Sequence, residues 1–442
     1  MPDSEDHVMP DGKLYVYGSF DDREDVYCSE KYHVVSTADM EHWMIHEESL
    51  NGNQIPWFNN PVAPKYPGID WSHPTPFIQK MIQRDLENGV DMKAKFEEEE
   101  KREKPALLFA PDCLERNGKY YLFFCMPDDS EGVAVSERPE GPFNNPIQLP
   151  CGGIDPAIFI DDDGQAYYYW GQLFSHGVKL NEDMISFNRD EIVDDLVTEE
   201  EHFFHEGSSM RKIGDTYYYV YADMERGKPT SLGYSTSKSP MGPFTYRGII
   251  IDNDGCDPAS WNNHGSIECV NGQWYVFYHR CSRGVQQHRR LCIEKIEILE
   301  DGTIPEVKMT SQGIGEPFAP GKVIMGYQAC EMSGSVYIGV NEDAESTEEY
   351  PEVLMNISAG DEVMFRYVKS EQEWKKIFLK YRGSGKVKVK MDGTCAGEIT
   401  LTDNKDVTNI TNQEICMEAG EYEVELEIVE ADKLEIIEIM LA

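Results

Sequence analysis

Asp11-Gly12-Lys13-Leu14-Tyr15-Val16-Tyr17 is the first copy of the stretch that decides the fold, a glycine turn followed by an aromatic-rich strand. Four further copies begin at residues 117, 163, 214 and 271. A turn of this kind leads into the second strand of a β-hairpin. The last four turn glycines are spaced by roughly 50 residues, which suits a four-stranded propeller blade and is too long for one hairpin. The five copies therefore predict a five-bladed β-propeller.

The copies place this propeller at residues 1–316. The interval between the first two copies is about twice as long as the others, and the excess lies in residues 50–105, where proline-rich sequence precedes a charged, helix-like stretch. We interpret this insertion as a solvated surface excursion, with a lid or an oligomer contact as alternatives. Residues 321–442 alternate short β-like runs with Gly and Asp turns, which predicts a small antiparallel β-sandwich. The fold class is thus all-β.

The chain carries 81 Asp and Glu against 40 Lys and Arg, a net charge of −41. This charge opposes binding to nucleic acids and to anionic membranes, which depends on Lys and Arg. No apolar run approaches the roughly 20 residues that span a bilayer, so we expect a soluble protein. Met1 leads into Pro2, Asp3 and Ser4 without the basic start of a signal peptide, which indicates a cytoplasmic protein if Met1 is the natural start. Eleven cysteines without a CxxC pair suit reduced thiols better than disulfides or a zinc site.

An ionisable residue precedes the turn glycine of every copy by six to nine positions: Asp3, Asp112, Asp155, Glu206 and His264. In a propeller the first strand of each blade lines the central channel, so we expect these groups to converge. Carboxylates that share a site repel one another, which separates their pKa values and keeps one protonated while another stays ionised. Cleavage of a glycosidic bond needs this combination of an acid and a base.

At these residues the sequence resembles glycoside hydrolase family 43, whose five-bladed propellers act on arabinose- and xylose-containing saccharides. The opening around Asp3 resembles the segment that carries the general base, although Ser4 stands where the family often has proline, and Asp6 is an alternative base. The segment around Asp155 resembles the one whose Asp raises the pKa of the general acid. The segment around Glu206 resembles the one that carries this acid. The resemblance implies inversion, with base and acid carboxyls about 6.5–9.5 Å apart.

Further roles follow from the resemblance. His264 matches a last-blade histidine that helps to hold a calcium ion or a water at the propeller centre, and Arg289 matches an arginine that reaches the substrate pocket. We expect Asp112, His264 and Arg289 to contact substrate, and His264 to be the metal ligand if a structural calcium is present. No cofactor is required for the reaction. The implied partner is an oligosaccharide from plant cell walls, from which the enzyme releases α-L-arabinofuranosyl or β-D-xylosyl residues.

Several alternatives stay open at this point. The C-terminal sandwich resembles family 6-like carbohydrate-binding modules, and a purely structural sandwich that braces the propeller is the alternative. A catalytically inactive carbohydrate-binding propeller would keep the blades, and enzymes of the same fold act on galactan or fructan. The fructan-cleaving type needs a Trp-x-Asn-Asp-Pro opening, which the sequence lacks. The sugar, its linkage and the oligomeric state are left open.

Overall fold

The computed structural model of the protein describes residues 1–99, 104–340, 352–402 and 409–442. Its contacts form two compact units. The first unit contains Met1–Asp252, Asn262–His279 and Ile296–Glu306, and the second contains Asn253–Trp261, Arg280–Lys295 and Val307–Ala442. The boundary that the sequence places at 316–321 lies inside the last segment of the second unit. None of the helices in the described part of the chain is long and apolar enough to cross a membrane.

Five antiparallel sheets follow one another along the chain, each with its strands in chain order. The first holds β1 (Glu5–Val8), β2 (Leu14–Gly18), β3 (Lys31–Thr37) and β4 (Trp43–Asn51). The second holds β5 (Asp112–Arg116), β6 (Lys119–Cys125), β7 (Ser130–Ser136) and β8 (Asn144–Gly152). The others hold β9 (Ala157–Ile160), β10 (Ala166–Trp170) and β11 (His176–Lys179); β12 (Phe204–Ile213), β13 (Thr216–Asp223), β14 (Ser231–Ser237) and β15 (Thr245–Asp252); and β16 (Ser266–Val270), β17 (Gln273–Ser282) and β18 (Val285–Ile296). This succession of meanders confirms the five predicted blades.

The turn glycines have the geometry that their sequence position requires. In all five copies the glycine has a left-handed φ, between 59° and 85°. A Cβ atom at any of these five positions would meet nothing within 4 Å. Glycine is therefore favoured at these turns by backbone conformation and not by crowding.

Blades 3 and 5 each have three strands among the described residues, whereas the repeat length predicted four. In blade 3 the chain after β11 meets the sheet through an isolated bridge between Gly177 and Val193. Residues Arg189–Glu191 form a 3₁₀ turn there, and the side chain of Asn188 accepts a hydrogen bond from Asp190 N. Asn and Asp compete with strand ladders through such local hydrogen bonds, which explains the missing strand.

Aromatic residues of the second strands fill the spaces between blades. Tyr168 of blade 3 packs on Phe123 of blade 2 with ring centroids 5.2 Å apart, and Tyr169 packs on Tyr219 of blade 4 at 5.4 Å. All four rings are buried. These large apolar surfaces account for the aromatic half of the repeated motif.

The insertion lies on the surface of the propeller, and a few buried residues anchor it there. It contains α1 (Pro76–Glu87) and α2 (Met92–Glu99), and a third, short helix, α3 (Glu199–His202), precedes β12. Thr75 caps α1 by accepting a hydrogen bond from Ile78 N, and the buried face of α1 packs against Phe174 of blade 3. Trp57 Nε1 donates to Ser130 Oγ of blade 2 at 3.1 Å. Residues 100–103 of the insertion lie outside the described residues.

The C-terminal region forms a nine-stranded sheet. Its strands are β19 (Val323–Met325), β20 (Glu331–Ser333), β21 (Tyr337–Val340), β22 (Glu352–Met355), β23 (Glu362–Ser370), β24 (Trp374–Met391), β25 (Thr394–Leu401), β26 (Asn409–Met417) and β27 (Gly420–Leu441). β24 and β27 span 18 and 22 residues, and register shifts along their shared ladder let them bend. The predicted sandwich is thus one nearly closed sheet wrapped around its own core, which includes Trp374, Phe365 and Leu426.

The aromatic side chains of this region are not arranged for sugar stacking. Within the described part of residues 307–442, every aromatic side chain is buried or half-buried. Rows of Lys from β24 instead face Glu from β27, as in the pairs Lys388–Glu427 and Lys380–Glu438.

Candidate active site

Asp3 and Asp155 occupy the same place in two blades. Each lies nine residues before its turn glycine, Gly12 or Gly164, and two residues before the first strand of its blade, β1 or β9. Both have a left-handed backbone, with φ of 53° and 56°. This conformation is uncommon for residues with a side chain and costs about 1–3 kcal/mol. Its repetition at equivalent positions points to a functional role for both carboxylates.

His264 brings the carboxylate-bearing strand starts together. Its Nδ1 atom lies 3.8 Å from Asp3 Oδ1 and 3.6 Å from Asp155 Oδ2. Its ring also packs against Gly207, where an added Cβ would stand 2.9 Å from His264 Cδ2. Gly207 directly follows Glu206, so Asp3, Asp155 and the backbone next to Glu206 meet around one buried imidazole.

Asp3 is held through its side chain and through its backbone. Ser19 Oγ donates to Asp3 Oδ2, and Cys28 Sγ lies 4.0 Å from the same oxygen. His279 Nδ1 lies 3.6 Å from Oδ1 and accepts a hydrogen bond of 3.5 Å from Asp3 N. These contacts fix the orientation of a buried carboxylate and keep one face of it within reach of His264.

Glu206 lies on β12, half-buried, where the strand departs from a regular ladder. The β12–β13 register shifts on both sides of Glu206, and Gly207 has a left-handed φ of 78°. Bulges of this kind turn a side chain out of the strand and are common next to active sites. Gln172 Nε2 donates to Glu206 Oε2 at 2.6 Å, which fixes the redirected carboxyl.

Asp112 lies apart from the other four candidates. It precedes its turn glycine, Gly118, by six residues, whereas the others precede theirs by eight or nine. At about 3.3 Å per residue this places it roughly 7–10 Å further along the channel. Its carboxylate is buried there, 2.7 Å from His7 Nε2, and accepts hydrogen bonds from Cys113 N and Ile158 N. Because both oxygens are committed to the protein, the expected substrate contact of Asp112 is replaced by a positioning role.

Arg211 of β12 is the centre of a buried ionic network at the same depth. Its Nη2 atom donates to Glu5 Oε2 at 3.0 Å, and its Nε atom lies 3.3 Å from Glu268 Oε2. Burial raises the pKa of Glu5 to about 7, and the charge of Arg211 opposes that rise. Arg211 therefore joins β12 to β1 and β16, while Asp112 joins β5 to β1 and β9. Together the two residues tie the first strands of all five blades.

The structure separates the two candidates for the base. Asp6 is fully buried, and its Oδ2 atom accepts hydrogen bonds from Ser4 Oγ at 2.9 Å and Ser266 Oγ at 3.0 Å. Burial raises the pKa of Asp6 well above its usual range. A carboxyl in that position has no path to a water or a sugar. The placement favours Asp3.

His264 does not belong to any close set of three ligand side chains in the described part of the chain. Among the described residues, two sets of three have ligand atoms close enough to share an ion: Glu5, His7 and Asp112, and Glu362, Glu425 and Glu427. Calcium takes about six to eight oxygen ligands, whereas His264 offers one nitrogen facing two carboxylates. The side chains around His264 therefore fit a calcium ion poorly, and no step of the chemistry is assigned to one.

Sequence reasoning missed residues at the ends of the second strands. Ser19, Cys125 and His279 each follow a turn glycine by seven positions. Ser19 and His279 contact Asp3, and Cys125 Sγ accepts a hydrogen bond from Asp155 N at 3.3 Å. Because the second strand is antiparallel to the first, it returns to the same end of the channel. Counting forward from the turn glycines as well as backward would have found these residues.

Arg289 lies in β18, and its side chain is buried. It belongs to the second compact unit, whereas the carboxylates described above belong to the first. Its expected contact with substrate stays a prediction.

Known proteins resemble this chain in sequence and in structure. The family model for glycosyl hydrolases family 43 matches residues 74–304. A xylosidase/arabinosidase of Thermoclostridium stercorarium is 32% identical over 340 residues, which cover 66% of this chain and 70% of the relative. The structure of a β-xylosidase/α-arabinofuranosidase from a compost microbial metagenome, in a calcium-free form with xylotriose, matches with a TM-score of 0.52 at 26% identity, over 70% of this chain and 94% of the other.

A further match extends over the whole chain. The arabinoxylan arabinofuranohydrolase of Bacillus subtilis, in complex with cellotetraose, covers 100% of this chain and 95% of its own at a TM-score of 0.50 and 21% identity, which speaks for the fold alone. The family model covers more than half of the 442 residues. With its five blades and converging carboxylates, the chain belongs to glycosyl hydrolase family 43 and is a glycosidase.

Proposed function

We propose that this chain is an inverting glycosidase that releases α-L-arabinofuranosyl or β-D-xylosyl residues from neutral oligosaccharides of plant cell walls. The observation that carries the proposal is the meeting of Asp3, Asp155 and the Glu206–Gly207 segment around His264. The activities in the names of the similar proteins support pentose as the sugar released. The net charge of −41 supports an uncharged substrate over an anionic one.

In the proposed reaction Asp3 is the general base. It takes a proton from a water whose oxygen attacks the anomeric carbon, while the bond from that carbon to the leaving oxygen breaks. Ser19 holds the Asp3 carboxylate in place for this step, and His279 holds the Asp3 backbone. A single displacement by water inverts the anomeric centre.

Glu206 is the proposed general acid. It gives its proton to the leaving oxygen, so the proton lost by water at Asp3 is balanced by the proton gained by the leaving group. The role requires Glu206 to carry a proton until the bond breaks. Cys125 Sγ, which accepts a hydrogen bond from Asp155 N, helps to position Asp155 beside His264. No cofactor is required for these steps.

A panel of aryl glycosides tests the proposal. We expect turnover of an aryl α-L-arabinofuranoside or β-D-xyloside, and proton NMR of the first product formed should show the inverted anomer. Retention of configuration would contradict the role of Asp3. Binding of xylo-oligosaccharides without turnover of any glycoside in the panel would identify an inactive carbohydrate-binding propeller instead.

A further inference from the structure

The insertion and blade 3 enclose a cleft of about 480 Å³. Insertion residues from Tyr66 to Thr75 line one side of it. The other side is formed by Gly152, Trp170, Phe174 and the turn around Arg189. Its volume lies within the range of about 300–1,000 Å³ that is typical of ligand sites.

One loop connects this cleft to the general acid. Trp170 and Phe174 line the cleft, and Gln172 between them donates its hydrogen bond to Glu206. The backbone of the loop is fixed on both sides, because Gly171 N donates to Ile154 O at 2.9 Å and Leu173 N donates to His205 O at 2.6 Å. The loop from Trp170 to Phe174 therefore contacts Glu206 through Gln172 and lines the cleft through its two ends.

The chemistry of the reaction decides which part of a substrate lies there. The general acid protonates the leaving oxygen, so the leaving chain must lie on the side of Glu206, whereas the attacking water lies on the side of Asp3. Gln172 contacts Glu206, so the loop that carries Gln172 lies on that side. The cleft behind that loop is where such a chain would continue.

The lining of the cleft suits an uncharged sugar. The guanidinium of Arg189 lies over the ring of Tyr66 at 5.0 Å, and it forms no ion pair with a carboxylate in the part of the chain that the structure describes. Its donors are available to hydroxyl groups. Asp70, Asp190 and Asp194 also line the cleft and would repel a uronate.

We propose that this cleft binds the leaving-group end of the substrate, an uncharged oligosaccharide that extends beyond the cleaved bond. The inference rests on the proposed function and assigns to the insertion a role in substrate selection. It predicts that the enzyme prefers longer leaving chains over an aryl group, and that Arg189 and Tyr66 carry this preference.

The test compares kcat/KM on xylose- and arabinose-containing oligosaccharides of increasing length with kcat/KM on an aryl pentoside. In the unmodified protein we expect the ratio of the two to rise with chain length. Arg189→Ala and Tyr66→Ala should each lower this ratio by about tenfold or more on the longer substrates, the loss expected when a charge-assisted hydrogen bond or a stacking contact is removed. Arg247→Ala, which removes an exposed arginine of β15 outside the cleft, is the matched control and should leave the ratio unchanged.

The outcomes separate the two proposals. The role of the cleft is overturned if the kcat/KM ratio does not depend on chain length, or if it is equal in the variants and the unmodified protein. The proposed function stands in either case, provided that the aryl pentoside is hydrolysed. A parallel loss on both substrate types also overturns the role of the cleft, because Arg189 would then act on the catalytic centre or on stability. Failure of the unmodified protein to hydrolyse any pentoside overturns the proposed function, and the cleft assignment with it.

Discussion

At the scale of single residues, no local sequence feature distinguishes the carboxylates of the site from other carboxylates nearby in the sequence. Asp3 and Asp6 are three positions apart in the same opening, yet one faces His264 and the other is sealed between Ser4 and Ser266. Their difference follows from their places in the chain: Asp3 lies two residues before β1 on a left-handed backbone, whereas Asp6 lies inside β1.

The two aspartates should respond differently to substitution. Asp3→Asn should lose about 10²–10⁴-fold in kcat on every aryl pentoside, because the base is needed whatever the leaving group. Asp6→Asn keeps the shape of a buried group and should retain most of the activity. Equal losses in kcat for the two variants, measured beside their thermal unfolding, would contradict the assignment of the base.

Gly207 offers a second test at this scale. Gly207→Ala adds a Cβ that would stand 2.9 Å from the His264 ring, at a φ of 78°. Gly164→Ala is the control, since its φ is 85° and its Cβ would meet nothing within 4 Å. Both should lose about 1 kcal/mol of stability from backbone strain. Only Gly207→Ala should also lose kcat, by about 10²-fold, as His264 and Glu206 move apart.

At the scale of strands, two buried polar residues set the spacing of the blades. Asp112 and Arg211 link the first strands at a depth below the proposed catalytic carboxylates. Those carboxylates lie at or near the strand starts. Their separation therefore depends on contacts made further along the same strands.

Arg211→Met tests this dependence. It leaves the buried Glu5 and the half-buried Glu268 carboxylates without the charge of Arg211, which should cost about 3–5 kcal/mol in the free energy of unfolding and lower kcat. The double variant Arg211→Met/Glu5→Gln removes one of the unpaired charges and should regain part of that stability. Urea unfolding at pH 7 measures both. A single variant as stable as the unmodified protein would show that the network does not hold the blades.

A buried carboxyl between blades 2 and 3 gives a pH-dependent test. Burial raises the pKa of Glu131 to about 8, although its Oε2 atom accepts hydrogen bonds from Tyr168 and Cys151. The pKa of Glu131 in the unfolded state is near 4.5, so the raised value means that the folded state binds the proton more tightly. This proton stabilises the folded state fully below pH 4.5, and the stabilisation is lost as the pH rises through about 8.

Glu131→Gln should therefore gain in stability relative to the unmodified protein between pH 5 and pH 8.5, by up to a few kcal/mol. The melting temperatures of the two proteins across this range give the measurement. Glu137→Gln removes an exposed carboxyl of the same blade and should show no such trend. A difference between Glu131→Gln and the unmodified protein that is constant with pH would place the Glu131 pKa near its usual value.

At the scale of the whole molecule, the net charge of −41 acts on every state of the chain. Repulsion among like charges disfavours the compact state, and salt screens it with a Debye length that falls from about 30 Å at 0.01 M to about 10 Å at 0.1 M. Raising NaCl from about 0.01 M to about 0.2 M should therefore raise the melting temperature by roughly 2–5 °C. An uncharged osmolyte at matched osmolality is the control, and a fall in melting temperature with salt would show that attractive ion pairs dominate.

The sequence by itself determined the number of blades and the positions of the site residues relative to the turn glycines. Five turn glycines recur because each blade must reverse its first strand, and a left-handed turn favours glycine each time. Counting back from these turns placed Asp3, Asp155, Glu206 and His264 at one end of the channel, since strands advance by a constant rise per residue.

Only the tertiary structure decided what each group touches. It moved Asp112 out of the site, because an offset of six residues instead of nine shifts a side chain by most of a strand, and it sealed Asp6 between blades. It also packed the insertion against Phe174 and joined the C-terminal strands into one sheet. Contacts between residues far apart in the chain depend on how blades and loops pack, and no local pattern in a single sequence records that packing.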